Sequence, residues 1–169
     1  MNPIPIDIRW LVRADYPKVI AIEEECFGVH ALTNKELTDG LHGLRNVGVS
    51  AWLDDDIAGF MLYELFKEII HLTDLAVTDR CRHLGVGTVL MKTLIDKLGK
   101  HDRSKIILEV RETNLAGQLF FRQMGFIATE VLRNHFSDIG EDAYRMSYVM
   151  KGHSPVNRLF QIRKSSGSL

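Results

Sequence analysis

The sequence predicts an α/β fold: strand, two helices, three strands, helix, strand, helix and two strands, in that order along the chain. Three observations predict it. Apolar residues switch repeatedly between two-residue and helical spacing. A capping box and a glycine-punctuated turn mark helix starts. With 169 residues, 46% hydrophobic and 25% charged, the chain suits one core of ordinary size. One domain is therefore expected over residues 1–150.

Residues 6–12 alternate well enough for a strand. Asp15, with Pro17 just inside, starts a helix that turns Val19, Ile20, Ile22 and Cys26 inward. Thr33 and Glu36 form the capping box of a second helix, with Leu37, Leu41 and Leu44 on one stripe. Residues 47–53, 57–66 and 69–77 are β-rich and read as an antiparallel meander. Asp54, Asp55 and Asp56 join the first two strands. Three carboxylates in a short turn without a further ligand point to a solvated hairpin rather than a metal site.

A third helix follows Gly85. Val86, Val89, Leu90, Thr93, Leu94 and Leu98 recur at helical spacing, and Lys92, Asp96 and Lys97 mark its solvated side. Residues 105–110 form a strand, 115–124 a helix, 126–132 a strand, and 143–150 the last strand. From residue 151 to 169 the composition changes to a Ser/Gly-ended segment carrying Arg158, Arg163 and Lys164 without an acidic residue, which is expected to be a flexible basic tail.

The strand-to-helix turn running from Asp74 through Arg80-Cys81-Arg82-His83-Leu84-Gly85-Val86-Gly87-Thr88 carries the most chemistry. Glycines let the backbone approach a ligand, and the unpaired N–H groups of a helix start favour an anion. A dinucleotide fingerprint would need a small residue where Leu90 stands, and a P-loop would need Gly-Lys-Ser/Thr, which is missing. On this motif alone, a phosphate cradle and a ligand-free glycine turn remain level.

Arg82-His83-Leu84-Gly85-Val86-Gly87 resembles the Arg/Gln-x-x-Gly-x-Gly/Ala signature of the GNAT N-acetyltransferases. Three further segments carry the likeness. Leu108-Glu109-Val110-Arg111 with Asn114, Leu119-Phe120-Phe121 leading to Gly125-Phe126, and Glu141-Asp142-Ala143-Tyr144-Arg145-Met146 are similar, in the same order, to segments of the bacterial ribosomal-protein-alanine N-acetyltransferases. The resemblance spans roughly residues 6–150. It implies the GNAT acyl-CoA acyltransferase fold, a mixed, mostly antiparallel sheet with helices on both faces. It also implies acetyl transfer from acetyl-CoA to the N-terminal α-amine of a protein, with an N-terminal alanine of a ribosomal protein as the acceptor.

The resemblance also distributes roles. His83, Leu84, Gly85, Val86, Gly87 and Thr88 would hold the cosubstrate's pyrophosphate, with Arg82 adding charge at the loop edge. Leu75, Ala76 and Val77 would lie along the thioester carbonyl, their backbone N–H groups polarising it. Asn114 is an N-cap, a cosubstrate contact or both. Glu109 interrupts the apolar run Ile106, Ile107, Leu108, Val110, where a carboxylate needs a partner, water or a cleft. Spacing alone leaves it as a solvated strand residue or a partner of Arg111; the resemblance makes it the general base. The amine needs one, because a peptide α-amine has a reference pKa of about 7.7–8.0.

Two departures stand out. Phe121 occupies the position where the similar enzymes carry a tyrosine that protonates the departing thiolate, and a phenyl ring cannot donate a proton. Phe121 would instead pack beside the pantetheine arm, with water or one of Tyr144, Tyr148 and His135 as donor. His30-Ala31-Leu32-Thr33 replaces the Phe-Pro-Trp usual before the capping residue, whereas Arg133-Asn134-His135-Phe136 and Glu141-Asp142 follow the relatives' acceptor region. Alternatives to a protein acceptor are a free small amine and a non-catalytic coenzyme A-binding module.

The formal net charge of −1 gives no reason to expect direct nucleic-acid binding, and a tail gripping ribosomal RNA would need a local basic patch. Cys26 and Cys81, two lone cysteines, read as reduced thiols, and no metal site is expected. No apolar run approaches the roughly 20 residues that span a bilayer, and residues 1–7 lack the layout of a targeting peptide. The expected location is cytoplasmic.

Overall fold

In the computed structural model, which describes residues 5–137 and 139–152, the elements follow the predicted order. They are β1 (Asp7–Trp10), α1 (Tyr16–Phe27), α2 (Asn34–Leu41), β2 (Asn46–Leu53), β3 (Asp56–Leu65), β4 (Ile69–Val77), α3 (Val86–Ile95), β5 (Lys105–Arg111), α4 (Leu115–Gln123), β6 (Ile127–Phe136) and β7 (Glu141–Val149). Most of the basic tail, including Arg158, Arg163 and Lys164, lies outside the described residues. Contacts divide the chain into two units: residues up to 66 with 70–96, and residues 67–69 with those from 97 on.

In the first unit, β1 to β4 pair antiparallel in chain order. Trp52 pairs with Ile57 but Ala51 with Gly59, so β3 carries an extra residue at Ala58. Such a bulge shifts the alternation. Ile57 thereby joins Phe60 and Leu62 in the cluster that α1 and α2 cover with Val19, Ile22 and Leu37. Gly59 faces the other way. A Cβ there would stand 2.6 Å from the Ala76 carbonyl oxygen and 3.2 Å from Val86, so glycine is what lets the start of α3 close on the sheet. Helices thus cover both faces. A second bulge lies in β4, where Leu62 pairs with Asp74 and Tyr63 with Leu72; the extra residue, Thr73, donates its hydroxyl to the Leu62 carbonyl at 3.0 Å.

The second unit is an antiparallel sheet in the order β5-β7-β6 with α4. Ile106, Leu108 and Val110 are buried on one face of β5, and period two sends Glu109 to the other. Phe121, Phe126 and Tyr148 form an aromatic run with centroids 5.8 and 5.6 Å apart.

Several boundaries differ from expectation for local reasons. β1 is shorter than 6–12 because the Val12 N–H donates to the Asp15 carboxylate at 3.0 Å, opening a 3-10 turn. The α2 capping box is present, but the helix ends at Leu41, so Leu44 falls beyond it and is fully exposed. β6 continues to Phe136, four residues past the predicted end, and is exposed along most of its length. The acidic turn is not simply solvated: Asp56 binds Arg80 and, at 3.0 Å, Lys18, and the Arg80 guanidinium first and the Lys18 ammonium second hold its carboxyl down at about 2.

Candidate active site

The turn after β4 has the backbone of an anion cradle. His83 has φ of +62° and Gly85 of +89°, and Gly85 is the N-cap of α3. A Cβ at Gly85 would meet nothing within 4 Å, so the space in front of the helix start is open, and the glycine is required by its backbone angle rather than by crowding. The first intrahelical bond is Val89 N–H to Gly85 carbonyl at 2.9 Å, which leaves the N–H groups of Val86, Gly87 and Thr88 aimed out of the first turn. Gly87 is the second helical residue, and Leu84 is exposed beside the turn.

β4 enters this turn with a defined polarity. The Thr78 N–H donates to the Ala58 carbonyl at 2.9 Å; by alternation Ala76 also faces β3, and the N–H groups of Leu75 and Val77 point away from it. Arg82 curls back over this strand end. Its Nε lies 3.4 Å from the Val77 carbonyl and a terminal nitrogen 2.8 Å from Asp79, so the guanidinium braces the turn's entry as well as charging its edge. The Cys26 thiol, pushed up mainly by burial, also donates to Val77 O at 3.4 Å.

Two carboxylic acids on this unit stand at apolar positions. Glu23 of α1 is 1% exposed; one oxygen accepts the Leu32 N–H at 3.1 Å, and burial, opposed by that bond, pushes its pKa up to about 7. Asp74, directly after the Thr73 bulge, is pushed up to about 6, again chiefly by burial. Sequence reading did not single out Glu23 as acidic chemistry. The available signal was an acid at a core position beside Val19 and Ile22.

On the second unit, Glu109 is held across the strands. Its Oε1 lies 2.8 Å from Arg145 Nε, and the Glu109 side chain is 11% exposed. The partner is Arg145, not Arg111, because β5 and β7 place Glu109 opposite Arg145. The pair raises the guanidinium's pKa further, and Arg145 also binds Glu130 at 2.7 Å. Arg111 instead binds Glu141 at 2.9 Å and lies over the Phe136 ring.

Glu141 also accepts the Thr113 N–H at 3.0 Å, which fixes the chain just before Asn114. Asn114 caps α4 by accepting the Gly117 N–H at 2.9 Å. Asp142 accepts the Asn134 N–H at 2.8 Å and binds Arg133. The acidic pair thus staples the β6–β7 turn and the α4 start. Phe121 is 8% exposed, wedged against Phe120 and Phe126. Tyr148 is the phenol of that run, whereas His135 is exposed and stacked edge-on to Phe136.

Among the described residues no helix is long and apolar enough to cross a membrane, and no group of three or more His, Cys, Asp or Glu is arranged to hold a metal ion.

Residues 7–126 match the Acetyltransferase (GNAT) family. An uncharacterised N-acetyltransferase of Methanocaldococcus jannaschii is 35% identical over 141 residues, 82% of this chain and 88% of its own. The [ribosomal protein bS18]-alanine N-acetyltransferase of Salmonella typhimurium is 29% identical over 137 residues, covering 80% and 88%. Among solved structures, the ribosomal-protein-S18-alanine N-acetyltransferase from Escherichia coli superposes with a TM-score of 0.78 at 24% identity, covering 89% of this chain and 97% of that one.

Proposed function

Because the chain belongs to the acetyltransferase (GNAT) family and is an acyltransferase, we propose that it moves the acetyl group of acetyl-CoA onto the N-terminal α-amine of a protein, with an N-terminal alanine of a ribosomal protein as the leading acceptor. The observation that carries the reading is the α3 start. An open left-handed Gly85, followed by three outward N–H groups inside the segment that matches the family, is suited to a pyrophosphate. His83 to Thr88 fit that group through backbone rather than side chain.

In this reading the N–H groups of Leu75 and Val77 lie along the thioester carbonyl, which needs a donor as negative charge develops on its oxygen. Glu109 takes the proton of the acceptor amine. Arg145, 2.8 Å away, holds that carboxylate in place, a positioning role. The amine attacks the carbonyl carbon, the carbon–sulfur bond breaks, and the amide keeps the acetyl group. The departing thiolate takes its proton from water or from Tyr148, since Phe121 has none to give.

The test is thiol release from acetyl-CoA with an alanine-initiated peptide, the same peptide with a blocked amino terminus, and spermidine. Release with the free peptide alone supports the reading. Release with spermidine alone would replace it by small-amine acetylation.

A further inference from the structure

The acetyl-transfer step leaves one buried acid of the first unit without a task. Glu23 of α1 sits among the core residues Val19, Ile20 and Ile22, and its Oε1 has no hydrogen-bond partner among the described residues. Its Oε2 accepts the Leu32 N–H at 3.1 Å. That bond spans nine residues and ties the connection between α1 and α2 back onto α1.

The connection starts beside the strand end proposed to lie along the thioester carbonyl. In the last turn of α1 the Cys26 thiol donates to the Val77 carbonyl at 3.4 Å, and Glu25 accepts the Asp79 N–H at 2.5 Å. Two residues after Cys26 the chain turns at Gly28, with φ of +55°, and the Ala31 N–H closes the turn on the Gly28 carbonyl at 3.1 Å. Val29 and His30 at its tip are exposed, whereas Leu32 packs against the apolar cluster under α1. Residues 28–32 thus flank the proposed reaction centre, and the Glu23 bond sets where they return to the core.

A carboxyl in this place costs less to bury with its proton than without it. α2 and β3 supply the cluster with Leu37, Ile57, Phe60 and Leu62, which offer an anion no partner. β4 brings Asp74, whose charge reaches Glu23 and which itself feels His71. Burial pushes Asp74 up to about 6 and Glu23 to about 7, so as pH rises Asp74 ionises first and Glu23 must then ionise against it. The Leu32 N–H opposes the rise at Glu23 without cancelling it. An ionised Glu23 gains by turning toward water, and that turn gives up the Leu32 bond.

We propose that Glu23 is a positioning residue for the acetyl acceptor: its protonated carboxyl latches residues 28–32 onto α1, and loss of the proton releases them. The acceptor part of this rests on the reading of the site given above; the latch itself does not.

Solvent exchange of the Leu32 amide, followed by NMR in the isotope-labelled full chain and corrected for its intrinsic pH dependence, reads the latch with no acceptor present. Between pH 6 and pH 8 its protection should fall by about tenfold, because each pH unit above the folded pKa favours release about tenfold. The Val89 amide, bonded to the Gly85 carbonyl at 2.9 Å, should keep its protection. E23Q offers Leu32 an amide oxygen but has no proton to lose, and its Leu32 protection should stay level. Level protection in the wild type, which needs no variant, overturns the inference, and so does an equal fall in E23Q.

A second arm measures the KM for an alanine-initiated peptide in both proteins over the same range. The ratio of wild type to E23Q cancels the ionisation of the amine and should rise by up to about tenfold from pH 6 to pH 8, while the ratio for acetyl-CoA stays flat. A flat peptide ratio would overturn the positioning role. A pH-dependent Leu32 amide in a protein that acetylates no acceptor would refute the acetyl-transfer reading and leave the latch standing.

Discussion

Glu109 and Arg145 face each other across β5 and β7, the carboxylate 2.8 Å from the guanidinium Nε and nearly excluded from solvent. The pairing makes one carboxylate both a structural element and the proposed proton acceptor, and the two roles separate on substitution. E109Q keeps the side chain's shape and should leave acetyl-CoA binding nearly unchanged. Turnover should fall most at neutral pH and less at higher pH, where more acceptor amine is already neutral. Equal losses across the pH profile of kcat would count against Glu109 as the base.

Removing the other partner has a different signature. R145Q strands the Glu109 carboxylate in its enclosed position, and unfolding in urea should register a loss of about 1–3 kcal/mol, tempered because Arg145 is partly exposed. The double variant R145Q/E109Q should recover part of that loss. A double variant less stable than R145Q would show that the pair's charge is not what is being stranded.

Glu23 and Asp74 give stability an unusual pH dependence. Both pKa values are raised in the folded protein, to about 7 and about 6, so the fold binds these protons more tightly than the unfolded chain does. Their contribution is fully present below the unfolded values near 4.5 and 3.8 and is lost as pH rises through about 6 and then 7. The melting temperature should therefore fall between pH 5 and pH 8. E23Q, which cannot ionise, should flatten that fall by an amount on the order of 2 kcal/mol. A wild-type melting temperature that rises over this window would contradict the assignment.

Much of this was legible in the sequence, and the remainder fails for identifiable reasons. The order of elements, the Thr33–Glu36 cap and the α3 start follow from local chemistry, so periodicity and turn residues suffice to find them. Arg145 as the partner of Glu109 does not, because the register of β5 on β7 is a long-range relation and the nearer Arg111 is the more obvious candidate. The Thr73 bulge, which sets the register around Asp74, leaves no local mark either. Leu44 continues the helical spacing of Leu37 and Leu41 in the sequence, past the point where α2 stops. The backbone of His83 is equally silent in the sequence: only the folded turn reveals a non-glycine residue in the left-handed region.

Two glycines on either side of the α3 start should respond differently. G85A forces a Cβ onto φ of +89° although no atom crowds it, so it should cost about 1 kcal/mol of stability and reduce cosubstrate affinity modestly. G87E places a carboxylate at the helix start where the pyrophosphate is proposed to sit, and calorimetry should detect no coenzyme A binding. Retained binding by G87E would remove the cradle from the account.

Phe121 tests the missing proton donor. F121A opens a void in the aromatic run and should cost about 3–4 kcal/mol of stability, so its kinetics are best read well below its melting temperature, where the apparent KM for acetyl-CoA should rise. F121Y should leave turnover close to wild type if water or Tyr148 already supplies the proton. A gain of about 10²–10⁴-fold would show that the native enzyme lacks a donor altogether.

The central claim is that the acetyl group goes to an α-amine. It is tested most directly by incubating the protein with acetyl-CoA and an alanine-initiated peptide that also contains an internal lysine, then locating the added acetyl by fragmentation mass spectrometry. The account predicts that it lies on the amino-terminal residue and that E109Q leaves that peak greatly reduced. Acetyl found on the lysine side chain, with the amino terminus untouched, would contradict it.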